Sequence, residues 1–187
     1  MDYRVAVIFA AVLAFPARAA DSYTIDPTHT WPVFEVSHMG FSTQRGRFNK
    51  TSGKIMLDVA AKKGSVDITI DAASIDMGFV EWNKHMRDIN FFNTAQFPTM
   101  RFVSEQLVFE GDKPVVAKGE LTLLGTPVSV TLSIDGFKCG THPMLRKEMC
   151  GANISATIKR SDFGMSRFIP TIGDEVRIFS PVEAFRD

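Results

Sequence analysis

Two sets of side chains in this 187-residue chain have the types that proton-transfer or metal chemistry needs. The first is Arg160-Ser161-Asp162 together with His38: a cation, a hydroxyl and a carboxylate in succession, and an imidazole able to exchange a proton near neutral pH. His38, Arg160 and Asp162 are the acid-base candidates if the chain is an enzyme. They lack a partner that completes a catalytic constellation, since Arg160 is equally suited to capping the end of a barrel or to pairing with Asp162 or Asp174. His29 lies close to Asp26 in turn-rich sequence, which a local hydrogen bond explains. His85 falls on the solvent side of a helical pattern.

The second set is Cys139 and Cys150, which bracket ten residues in CGTHPMLRKEMC. Two thiolates and His142 make three metal ligands without an obvious fourth, and the spacing is not a zinc pattern. A structural disulfide is the favoured reading for an exported chain with an even cysteine count. On the loop-closure model it contributes about 3 kcal/mol. No metal site is expected.

These groups must be held by the elements around them. His38 shares parity with Phe34 and Val36, against Glu35 and Ser37, so the strand predicted there carries a histidine on its apolar face. Strict alternation recurs in Ile55 and Leu57, in Val66, Ile68 and Ile70, and in Ile154, Ala156 and Ile158. The clearest case is Val115 to Ile134. There Leu121 and Leu123 lead into Leu124-Gly125-Thr126, and Val128, Val130, Leu132 and Ile134 return, a hairpin with one apolar face. Ser52-Gly53 is expected to turn, and Cys139 to Cys150 to form a loop. Val176 to Ser180 and Val182 to Phe185 are expected as separate strands. Only Phe79, Trp82, Met86 and Ile89, at i, i+3, i+7 and i+10, read as an amphipathic helix, of about three turns. Many short one-faced strands and one helix argue an all-β antiparallel barrel or sandwich, and the scarcity of edge-blocking charges favours the barrel.

Composition narrows the function classes. Hydrophobic residues make up 45% of the chain, enough for one sizeable core, and 16 Phe against 2 Tyr and 2 Trp favour purely apolar burial. Residues 1–20 have the form of a secretory signal peptide: Arg4, an apolar run from Val5 to Phe15, then Ala17-Arg18-Ala19 as a cleavage site. The run is too short to span a bilayer, and no later stretch is long enough, so a soluble exported domain over 21–187 is expected. Without Asp2, Arg4 and Arg18, the 21 basic and 21 acidic residues become 19 and 20, a formal charge of −1. That leaves no electrostatic footprint for nucleic acid or anionic membrane.

Several segments also resemble, in order and spacing, the YceI-like family of bacterial proteins. They are Tyr23-Thr24-Ile25-Asp26-Pro27-Thr28-His29, Phe34 to Met39, Gly46-Arg47-Phe48, Arg87 to Phe92, Phe97-Pro98, Gly119 to Gly125, Ile158 to Met165 and Ile172 to Val176. The resemblance covers about Tyr23 to Glu183, and the stretch from Cys139 to Cys150 departs from it as a longer connection at one mouth. It implies a lipocalin-like, eight-stranded antiparallel barrel with a short helix, enclosing an apolar tunnel. It further implies a polyisoprenoid, such as an isoprenoid quinone, or another long amphiphile as ligand, and a periplasmic location.

By parity, the candidates for lining that tunnel are Phe34, Val36 and His38; Phe48, Ile55, Ile68 and Ile70; Phe102, Leu121 and Leu123; Val130 and Leu132; and Ile158 and Ile178. Phe163, Met165 and Phe168 are candidates for gating its mouth, with core packing as the alternative. The expected function is a non-enzymatic binder or carrier of the long-chain ligand, with no catalytic cofactor; an enzyme acting at the tunnel mouth is the alternative. A membrane redox protein as partner and a homodimer stay open.

Overall fold

The computed structural model describes residues 20–187. The leader expected at residues 1–20 thus lies outside the described residues, apart from Ala20. Eleven strands and one α-helix follow in the order β1 (Asp21–Ile25), β2 (Val33–His38), β3 (Ser42–Phe48), β4 (Thr51–Asp58), β5 (Lys63–Asp71), β6 (Ile75–Asp76), α1 (Val80–Arg87), β7 (Thr99–Glu110), β8 (Lys113–Leu123), β9 (Thr126–Thr141), β10 (Glu148–Lys159) and β11 (Ile172–Arg186). Eight of them run β1-β4-β5-β7-β8-β9-β10-β11, and β1 pairs with β11 to close an antiparallel barrel. The closed eight-stranded barrel with a short helix is the fold the family resemblance implies; alternation alone left a sandwich open.

The long hairpin forms as its residues dictate. Leu124 and Gly125 both have positive φ, 51° and 71°, which a two-residue type I′ hairpin turn requires, and Leu123 stands opposite Thr126. Closure is less local. The last residues of β11 pair with β1, whereas Ile172 to Phe179 pair with β2, which in turn pairs with β3 and β3 with β6. On the outer face, Glu35 of β2 ties both neighbours, accepting from Arg45 of β3 and Arg177 of β11 at 2.6 Å each.

Four local expectations are corrected. Val176 to Phe185 is one strand, not two: Pro181 sits where β11 changes partner from β2 to β1, so its missing N–H breaks no ladder with either. Ser52-Gly53 lies within β4, the turn having formed at Asn49 and Lys50. Cys139 to Cys150 is not a loop but an extension of the β9–β10 hairpin. The two cysteines stand directly opposite and are joined as a disulfide, and the turn is confined to residues 142–147. The helix is eight residues long, and Phe79, Trp82 and Ile89 are 58%, 42% and 76% exposed. Of the expected stripe Met86 packs on the core, and polar bonds supply the rest of the anchorage. Asn83 Oδ1 accepts from Met77 N at 2.6 Å, and Arg87 donates to the Ile75 carbonyl at 3.4 Å.

Two apolar clusters fill the barrel. The larger, at the helix end, includes Phe34, Phe48, Phe91, Phe92, Phe102 and Phe163; the smaller, at the disulfide end, holds Tyr23, Ile25, Leu57, Cys150 and Ala184.

Candidate functional site

A cavity of about 250 Å³ runs between these clusters along the barrel. It is many times the roughly 10–15 Å³ that one water requires. Met86, Phe91, Phe92, Met165 and Ile172 bound it at the helix end, and Phe137, Cys150, Ala152, Val182 and Ala184 at the disulfide end. Inward alternation of the strands makes the wall between them almost wholly apolar.

Of the residues singled out by parity, Phe34 and Val36 face the cavity from β2, Phe48 from β3 and Ile55 from β4. Ile68 and Ile70 face it from β5, Phe102 from β7 and Leu121 and Leu123 from β8. Val130 and Leu132 of β9, Ile158 of β10 and Ile178 of β11 complete the set. Three others lie off the wall. His38 is at the end of β2, paired with Ser42 and Ile172, and does not line the cavity although Ile172 does. Phe163 is 1% exposed and packs into the larger cluster, held in a 3-10 turn at Arg160–Phe163. Phe168 is 44% exposed and stacks on Phe91 with centroids 6.0 Å apart, so it covers a cavity residue from outside. Sequence reading missed Phe91 and Phe92, which follow the helix in a turn without periodicity. It also missed the hydroxyls Thr30, Thr51 and Ser180, although Thr51 shares parity with Ile55.

Arg160 borders the cavity, but its guanidinium is engaged with main chain. Nε donates to the Gly173 carbonyl at 2.8 Å, Nη1 to Met165 at 2.8 Å and Nη2 to Ile172 at 2.9 Å. Burial pulls its pKa down, against the opposing charge of Asp174. Asp174 in turn accepts from Ser161 N and Oγ at 2.9 and 2.8 Å; burial raises this carboxyl, but those bonds outweigh it and hold it below its ordinary range. Asp162 is exposed, and among the described residues no hydrogen bond links His38 to Arg160 or Asp162. The three acid-base candidates are therefore not assembled into a relay. His142 accepts at Nδ1 from Met144 N and Leu145 N, which shapes the hairpin turn beyond the disulfide.

Among the described residues, the one grouping of metal-ligand types is Asp26, His29 and Glu183, on the outer surface. His29 Nδ1 lies 2.7 Å from Asp26 and 3.9 Å from Glu183. Partial burial pushes Asp26 up, but its bonds from His29 and Thr28 prevail and depress it, while the hydrogen bond to Asp26 raises His29. This is a local ion pair that pins the turn after β1. No helix among the described residues is long and apolar enough to cross a membrane.

Comparison with known proteins agrees with this geometry. The family profile described as "YceI-like domain" matches residues 23–184. A UPF0312 protein of Shewanella denitrificans is 32% identical over 182 residues, 95% of this chain and 94% of that protein. The crystal structure of the Campylobacter jejuni YCEI protein superposes with a TM-score of 0.67 at 26% identity, covering 81% of this chain and 90% of that one. A polyisoprenoid binding domain from Saccharophagus degradans, implicated in plant cell wall breakdown, shares the fold with a TM-score of 0.63 at 18% identity, over 88% and 98% of the two chains.

Proposed function

The chain belongs to the YceI-like family, and from that premise we propose that it is an exported, non-enzymatic carrier of a polyisoprenoid or another long-chain amphiphile held inside the barrel. The observation that carries this reading is the continuous apolar cavity from Phe91 and Met165 to Cys150 and Ala184. An apolar tail there needs no polar contact to bind, because each CH₂ removed from water contributes about 0.8 kcal/mol. The Saccharophagus degradans relative, named for polyisoprenoid binding, supports the ligand class. The Cys139–Cys150 disulfide and the leader-like residues 1–20 support export to the periplasm, where disulfides persist. An isoprenoid quinone as cargo would make a membrane redox protein the natural partner for loading or delivery.

The test is displacement of a fluorescent apolar probe from the delipidated protein by an isoprenoid quinone. Saturable displacement at one equivalent per chain is expected. Absence of displacement by the quinone and by every other long-chain amphiphile tried would overturn the carrier role.

A further inference from the structure

We infer that Thr51 hydrogen-bonds a polar oxygen on the bound ligand, so that the cavity prefers long chains bearing a hydroxyl or carbonyl over bare hydrocarbons. The inference rests on the carrier reading above and narrows its ligand class. Thr51 opens β4, faces the cavity and is only 4% exposed. Its Oγ1 is buried and makes no hydrogen bond among the described residues.

Two other hydroxyls on the wall, those of Thr30 and Ser180, are spent locally. Thr30 Oγ1 donates to the Glu183 carbonyl at 3.1 Å and accepts from Glu183 N at 3.0 Å, and Ser180 Oγ donates to the Pro181 carbonyl at 2.9 Å. Thr51 differs because of where β1 stops. The register of β4 on β1 ends at Lys54 opposite Thr24, so Thr51 lies three residues past that pairing, where the chain has left for β2. On its other side it pairs with Ile70, which pairs with Met100, both cavity-facing and apolar.

A valine would fill the same volume without leaving a buried hydroxyl unpaired, so threonine is favourable there only when something bonds Oγ1. A water is a poor candidate. It needs two to four polar partners, and the residues that stand across the sheet from Thr51 are the apolar Ile70 and, beyond it, Met100. An oxygen fixed to an apolar chain is held at that depth by the chain itself. Because a threonine hydroxyl both donates and accepts, an alcohol and a quinone carbonyl are equally suitable.

The experiment compares the delipidated protein with Thr51→Val and Thr51→Ser, using geranylgeraniol and a hydrocarbon of the same carbon skeleton as probes. Thermal melts show first that each variant folds. Thr51→Val is expected to weaken geranylgeraniol binding about five- to tenfold, as loss of one buried hydrogen bond does, and to leave the hydrocarbon unchanged, while Thr51→Ser retains alcohol affinity. Equal changes for the two probes, or no change for either, overturn the inference and leave the carrier role standing. Failure of the unaltered protein to bind either probe overturns both.

Discussion

Arg160 Nη2 donates to the carbonyl of Ile172 at 2.9 Å, and Ile172 is the residue that stands opposite His38. The arginine that looked most like a reactive group is thereby a fastener. With its bonds to Gly173 and Met165, it pins both ends of the loop that leads from β10 to β11, and so fixes the helix end of the cavity. An always-charged fork with several donors suits that work, and a proton shuttle is the role it suits least.

Replacing Arg160 by lysine should therefore cost about 2–3 kcal/mol, because a single ammonium cannot reach three carbonyls in fixed directions. Arg160→Met should cost more, leaving all three unpaired. Urea melts of the variants measure this, and a change of a few tenths would show the loop to be held by something else.

Phe34 lies across Gly46, its partner on β3, so closely that a methyl group at that glycine would come within 2.5 Å of the ring. Phe34 is itself packed near Phe48 and Phe92, with centroids 6.0 and 6.3 Å away, and Met77 crowds the same glycine, so the ring moves aside only by disturbing its neighbours or filling the cavity. Gly46→Ala should destabilise the barrel by roughly 1–3 kcal/mol. Thermal unfolding tests it.

The pair of Asp26 and His29 gives a pH signature. The depressed Asp26 contributes stability above its unfolded value near 3.8 and loses it as pH falls through its folded pKa. The raised His29 contributes fully below its unfolded value of 6.5 and loses that contribution as pH rises through its folded pKa. The melting temperature lost in His29→Ala should thus be greatest between the two values and shrink at alkaline pH. A deficit constant from acid to alkali would contradict the pairing.

Phe168 should govern how fast cargo leaves rather than how tightly the barrel folds. It is exposed, and its ring meets the cavity wall through the stack on Phe91. Such a ring pair contributes about 0.5–1.5 kcal/mol, so Phe168→Ala should speed ligand release by roughly two- to tenfold with little change in melting temperature. Stopped-flow release of a fluorescent lipid analogue reads it directly.

Much of the barrel was legible because alternation is a local signal. Leu121, Leu123, Val130 and Leu132 show their inward face in sequence, and the wall uses that face. Closure was not legible in the same way, since it depends on Tyr23 to Ile25 meeting Ala184 to Arg186 from the far end of the chain. The helix misled for a related reason: spacing reports an apolar stripe, but not that Asn83 and Arg87 would anchor the turn with polar bonds and leave Trp82 outside. Phe163 and Phe168 lie in a loop without period, and nothing in their spacing separated the buried ring from the exposed one. Thr51 had the right parity, but its significance depends on a hydroxyl having no neighbour, which only the assembled wall reveals.

The most direct measurement is organic extraction of the protein as purified from its native host, followed by mass spectrometry with quantitation against protein. A carrier should yield close to one long-chain isoprenoid or related amphiphile per chain, bearing at least one hydroxyl or carbonyl oxygen. No lipid near stoichiometric amount, together with no uptake of added isoprenoid quinone, would contradict the proposed role.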